Sequence, residues 1–360
     1  MVSLRSIALK FALSAAVAAS LAACGGGGSD PTPFKLTALV SDGGVPAANT
    51  DANLKNGWGI AFNPQGVVWV ADAGSKKSTL YDGNGVPQQL VVAIPDGTNG
   101  PAGPTGIVFS GASSFPISQN GVTGSSAFLF ATLTGTIAAW SPTVNLTNAV
   151  TAYDDAAGGA EYTGLAIGSD SGVPRIYAAD FHNNKVDVFD NTFQKLATTG
   201  RFTDPALPAG FAPFGIQAVG DSIVVAYAQQ DSTARISVHG SGLGFIDIYD
   251  TSGNLKKRLA SGGALNAPWG LAAAPANFGP FSNALLVGNF GDGTIHAYDL
   301  QSGKLLGALT QSDGTPITVP GLWGIAFGNG LNAQPTNTLF LAAGPNRGAN
   351  GLYARIDLAQ

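Results

Sequence analysis

The chain has 360 residues, with 17 basic and 22 acidic side chains and a formal net charge of −5. Charged residues make up only 11%, glycine occurs 50 times and cysteine once. An acidic chain without basic clusters is a poor partner for nucleic acid, and a single cysteine excludes an internal disulfide framework.

Residues Met1–Ala23 carry Arg5 and Lys10, then an apolar stretch from Phe11 to Leu21 and small residues to Ala23. This is the pattern of a secretory signal peptide, and the stretch is too short to span a bilayer as a helix. Loss of Arg5 and Lys10 with it would leave 15 of the 17 basic residues and a mature charge of −7. Leu21-Ala22-Ala23-Cys24 resembles the bacterial lipobox, whose cysteine becomes the lipid-bearing first residue. The bland alternative is simple secretion with an incidental cysteine. Residues 24–33 read as the lipidated cysteine and, from the Gly25–Gly28 run onward, a flexible tether. By resemblance to bacterial lipoproteins, Gly25 after Cys24 favours the outer membrane. The expected location is the bacterial cell envelope, with membrane contact through the lipid anchor only.

Phe34–Val40 then reads as a strand with no repeat of its own. After it a short phrase recurs six times: Trp58-Gly59-Ile60-Ala61, Thr105-Gly106-Ile107-Val108, Thr163-Gly164-Leu165-Ala166, Phe214-Gly215-Ile216-Gln217, Trp269-Gly270-Leu271-Ala272 and Trp323-Gly324-Ile325-Ala326. Its glycines are spaced 47, 58, 51, 55 and 54 residues apart. Periods of this size with short apolar runs predict a β-propeller, one blade per repeat.

Each phrase is followed by a second apolar run, such as Val67–Ala71 or Ala284–Gly288. Near-continuous apolar character fits a strand packed on both faces. Third runs such as Lys185–Asp190, Phe245–Asp250 and Thr294–Asp299 alternate polar and apolar, which is strand periodicity. Turn residues then lead to a fourth strand, for example Leu255–Leu259. The sixth repeat stops after its third strand, Leu352–Ile356. If Phe34–Val40 completes it, every blade has four strands and no sheet edge stays open. The expected fold is all-β: a single six-bladed propeller over residues 34–358, closed by its N-terminal strand.

Three constellations could carry function. The residues before the repeat glycines include Trp58, Phe214, Trp269 and Trp323. They either line a stacking mouth for a sugar or another flat ligand, or wedge between blades and pack the hub. The ends of the second strands, Asp72, Asp180 and Asn289, offer oxygen donors in register for Ca²⁺ or another divalent cation. The competing reading is local bonding to backbone amides at strand-to-turn junctions. The longest connection within a blade, Gln229 to Gly244, carries Asp231, Arg235 and His239. His239 is the one acid/base candidate there, with a possible place at the channel mouth. His182 falls in a turn and His296 in a strand, and no triad order, His-Glu-x-x-His pair or CxxC is present.

The stretches Ala179–Asp190 and Asn289–Ile295 are similar to NHL-type repeats. Leu265–Leu271 with Leu286–Gly293 resembles an uncharacterised bacterial six-bladed propeller family, some of whose members carry PEP-CTERM sorting signals. That resemblance covers nearly the whole mature chain. It implies a propeller in the cell envelope and no particular activity. This sequence ends at Gln360 without such a signal, so the lipobox would supply the anchor. A relative by architecture is the regucalcin/gluconolactonase group, which implies metal-dependent lactone hydrolysis with Glu, Asn and Asp on inner strands. Here the nearest positions hold Trp58, Thr163, Phe214 and Trp269, and Glu161 lies two residues too early. The expected function is a non-catalytic module that binds an envelope ligand, glycan or protein. The alternative is a metal-dependent hydrolase or lactonase using Asp72, Asp180 and Asn289.

Overall fold

Six antiparallel sheets follow one another along the chain, each led by one of the glycine phrases. The computed structural model describes residues 33–359 apart from residue 112. The leading strands are Gly57–Phe62, Pro104–Phe109, Tyr162–Asp170, Phe211–Val219, Pro268–Ala273 and Leu322–Phe327. Each touches the next in that order, and Leu322–Phe327 returns to Gly57–Phe62. These are the inner strands of blades 1 to 6. From each, the sheet steps outward through strands two, three and four, as in blade 5 with Pro268–Ala273, Leu285–Asn289, Ile295–Tyr298 and Leu305–Ala308. Helix among the described residues is confined to two 3₁₀ turns, Ala156–Gly158 and Gly279–Phe281.

The ring closes as the sequence predicts. Strand Phe34–Ser41 runs antiparallel to Leu352–Leu358, with Phe34 opposite Leu358 and Ser41 opposite Leu352. Blade 6 thus takes its outer strand from the front of the chain. Both termini of the sheet are held in one ladder, so opening the ring means breaking that ladder.

The second strands explain their apolar composition. Val68–Asp72, Phe128–Thr132, Leu285–Asn289 and Leu339–Ala343 are buried at every residue. Six apolar clusters fill the six seams between neighbouring blades; the seam of blades 6 and 1, for example, holds Val40, Val70, Phe340 and Tyr353. A seventh, largely aromatic, sits at the hub.

Departures from the expected pattern lie at the periphery. Blade 2 carries an extra hairpin, Pro116–Gln119 with Val122–Ser125, between its first two strands. The fourth strands of blades 1 and 3 shrink to Val92–Ala93 and Lys195–Leu196. Part of the Gln229–Gly244 connection is itself ordered, since Ser237–Val238 pairs back onto Gln229 and Gln230.

Candidate functional site

Each inner strand is bulged at the glycine phrase. In blade 1 Gly57 faces Asp72 and Ile60 faces Val70, so Trp58 and Gly59 together oppose only Ala71. The same irregularity falls at Pro213/Gly215, Pro268/Gly270 and Leu322/Ile325. A bulge re-aims the side chain of its extra residue. Here it directs the residue before each glycine to the hub. The glycine then lets the blades approach: a Cβ on Gly215 would lie 2.1 Å from the Trp269 carbonyl oxygen, and one on Gly324 would lie 2.6 Å from that of Trp58.

Trp58, Phe214, Trp269 and Trp323 accordingly meet in one cluster with Phe181, and Phe290 packs against it. Trp58 stacks on Trp323 with ring centroids 3.5 Å apart, and Phe290 stacks on Trp323 at 3.8 Å. Trp269 stands edge-on to Trp58 and Trp323 at 6.1 and 5.6 Å. Blades 2 and 3 contribute threonines instead. The hydroxyls of Thr105 and Thr163 donate to the carbonyls of Tyr162 and Phe214 at 2.6 and 2.8 Å, stitching inner strand to inner strand. The Trp269 indole N–H donates to the Thr163 carbonyl, whereas those of Trp58 and Trp323 are buried without a partner.

A cavity of about 530 Å³ opens over this stack. Trp58, Trp323 and Phe290 line it from below, and His239, Asp292 and Arg347 stand at its rim. The two readings of the aromatic ring therefore divide between residues. Phe214 and Trp269 are 3% and 8% exposed and pack the hub without lining the cavity, while Trp58 and Trp323 both pack and line it. At the hub a throat of about 30 Å³ remains, lined by residues such as Ile60, Leu165, Ile216 and Ile325. That is room for a water or so and not for an organic ligand.

Of the three histidines only His239 reaches the mouth. Its ring meets Phe290 edge-on at 5.0 Å, and its Nε2 lies 3.3 Å from Ser237 Oγ. Burial depresses its pKa against the opposing pull of Asp292. The neighbouring loop residues turn elsewhere: Arg235 pairs with Glu161 of blade 3, and Asp231 accepts from the amides of Thr233, Arg235 and Ile236. His182 Nδ1 lies 3.2 Å from the Ala234 carbonyl oxygen and His296 Nε2 2.9 Å from Thr294 Oγ1.

Asp72, Asp180 and Asn289 stand at equivalent register positions of blades 1, 3 and 5, all fully buried. Each is engaged locally. Asp72 Oδ2 accepts from the Thr79 hydroxyl at 2.8 Å, and burial pushes its pKa far up. Asp180 accepts from the amides of Glu161 and Asn183, and its pKa is also raised by burial. Asn289 accepts from the Asn266 amide and donates to the Ala264 carbonyl. Among the described residues no three His, Cys, Asp or Glu side chains converge as a metal site. Cys24 and the stretch Met1–Ala23, on which the signal-peptide and lipobox expectations rest, lie outside the described residues.

Phe290 and Arg347 are among the mouth residues that motif reading missed, as is Asp292. All three follow the end of a second strand, after Asn289 in blade 5 and Ala343 in blade 6. The turn between strands two and three faces the mouth, so its composition was the available signal.

Fold and site define a closed six-bladed β-propeller with an aromatic-floored mouth. No protein-family model matches the chain. It is 31% identical over 333 residues to uncharacterised protein R648 of Acanthamoeba polyphaga mimivirus, covering 90% of this chain and 80% of that one, and it belongs to the same family. Uncharacterised protein L690 of that virus is 30% identical over 301 residues, covering 81% of this chain and 78% of the relative. These relatives are viral, where the sequence motifs had suggested a bacterial family. Among solved structures, virginiamycin B lyase from Staphylococcus aureus superimposes with a TM-score of 0.51 at 15% identity, covering 91% of this chain and all (100%) of that one. A glucose dehydrogenase superimposes with a TM-score of 0.52 at 12% identity, with coverage of 91% and 100%. Likeness at such identities speaks for the propeller fold alone.

Proposed function

We propose that this propeller is a non-catalytic binding protein, exported and lipid-anchored in the bacterial cell envelope, that captures a ligand at its aromatic mouth. The observation that carries the binding reading is the Phe290–Trp323–Trp58 pile beneath the 530 Å³ cavity. Stacked rings with polar groups at the rim suit a flat ligand, since they offer apolar contact area below and orientation above. The anchor reading is supported by the sequence alone, through Met1–Ala23 and Cys24. The partner class is an envelope glycan, peptide or protein.

Calorimetric screening of the purified protein against glycans, peptides and envelope extracts tests the binding reading. A ligand whose affinity drops in Phe290→Ala and Trp323→Ala supports it. A protein that binds nothing while hydrolysing a lactone or ester overturns it in favour of the hydrolase. Palmitate labelling in a bacterial host tests the anchor separately: label should enter the protein and vanish in Cys24→Ser, and an unlabelled wild type would remove the anchor.

A further inference from the structure

One charged group at the mouth has no structural task. Arg347 is exposed on the turn between the second and third strands of blade 6 and lines the cavity. Among the described residues it forms no ion pair, a state it shares with other surface cations such as Lys35 and Lys304; what sets it apart is its place on the cavity.

The turn that presents it is held in an unfavourable shape. Asn346 and Arg347 adopt φ of 55° and 59° in succession, a left-handed conformation that residues with a Cβ disfavour. Such outliers persist only where the surroundings over-determine them. Here Asn346 Nδ2 donates to Asn350 Oδ1 at 2.7 Å, and Asn350 Nδ2 donates in turn to the Asp42 carboxylate at 3.1 Å. Gly344 and Gly348 close the turn through a 2.9 Å amide-to-carbonyl bond. Both pack so closely on Asn56 that a Cβ on Gly344 would lie 2.0 Å from its Oδ1. The scaffold thus fixes where the base of the Arg347 side chain stands.

Asp292, which lines the same cavity, is held in place by neighbouring donors. Asp292 Oδ1 accepts from the Thr294 amide and hydroxyl, and its Oδ2 accepts from Asn266 Nδ2. What the rim still offers is a guanidinium fork above an aromatic face. A quaternary ammonium would also suit the rings and be drawn by Asp292, against repulsion from Arg347, so tetramethylammonium is the competing probe.

We propose that the mouth selects a ring ligand with an apolar face and a carboxylate. The face stacks over Phe290, the part-exposed end of the pile whose middle ring is Trp323, and the carboxylate takes paired hydrogen bonds from Arg347. This deepens the mouth-binding reading and rests on it. Acidic saccharides and aromatic acids share the required chemistry.

Calorimetry with two matched pairs tests it: digalacturonate against the neutral galactose disaccharide, and 2-naphthoate against 2-naphthylmethanol. The expected result is a preference of about tenfold for the acid of one pair, the scale of one charge-assisted hydrogen-bonded contact. Which pair shows it distinguishes a saccharide from an aromatic source. Arg347→Gln should erase the preference by weakening the acid more than its neutral partner. A preference that survives Arg347→Gln, equal affinity within both pairs, tighter binding of tetramethylammonium, or no binding of any probe would each overturn the proposal. Equal affinities that still fall in Phe290→Ala would overturn it while leaving the mouth as a binding site.

Discussion

The indole N–H of Trp269 donates to the backbone carbonyl of Thr163 at 2.9 Å, joining blade 5 to blade 3 across the hub. Trp58 packs in the same cluster at similar burial, yet its indole N–H has no partner. The pair separates hydrogen bonding from packing at the hub.

Trp269→Phe should therefore destabilise the protein more than Trp58→Phe. Losing the bond leaves a buried carbonyl short of a donor, at about 1–3 kcal/mol, whereas Trp58→Phe removes an unsatisfied donor along with its ring area. Denaturant midpoints of the two variants measure the difference. Equal losses would mean that the bond contributes nothing.

Gly215→Ala places a Cβ 2.1 Å from the Trp269 carbonyl oxygen, backbone that cannot move without its blade. Overpacking of this kind costs typically about 1–3 kcal/mol. Gly168→Ala, on the inner strand of blade 3, meets only side chains at ordinary contact distance: Tyr177 at 3.4 Å, Ile223 at 3.5 Å and Thr251 at 3.9 Å. Thermal unfolding should show a clear drop in Tm for the first and a small change for the second.

Asp247 of blade 4 has its pKa raised to about 7, first by burial and then by Asp204, against the opposing pull of Arg258. Unfolded, the same carboxyl ionises near 3.8. Between those values the folded chain holds a proton that the unfolded chain releases, so this group's contribution to stability declines as pH rises and levels off above about 7. Asp247→Asn should remove that decline. The check is the difference in unfolding free energy between wild type and variant at pH 4.5 and 7.5, and a difference independent of pH would refute the coupling.

Much of the fold was legible because the repeat imposes itself residue by residue. The phrase glycines mark where inner strands nearly touch, and the unpaired strand at Phe34 matched the strand missing after Ile356. The hairpin at Pro116–Ser125 was not legible, since it lies outside the repeat, although its Ile117 packs into the seam of blades 2 and 3. At the site, the residue before each glycine was visible as a column, but its fate depends on the neighbour. Phe214 and Trp269 disappear into the hub, whereas Trp323 receives Phe290 and keeps the cavity. Asp72, Asp180 and Asn289 formed an equally clear column. Their chemistry was decided by nearby hydroxyls and amides such as those of Thr79, Glu161 and Asn266, which spacing does not reveal.

The central claim is that a ligand sits over the Trp58–Trp323 pile. With indole ¹⁵N labelling, each of the five tryptophans gives its own N–H resonance. Titration with the ligand that the screen identifies should move the signals of Trp58 and Trp323 and leave those of Trp69 and Trp140, which pack in the seam of blades 1 and 2. Shifts confined to Trp69 and Trp140, with the hub signals unmoved, would contradict the account.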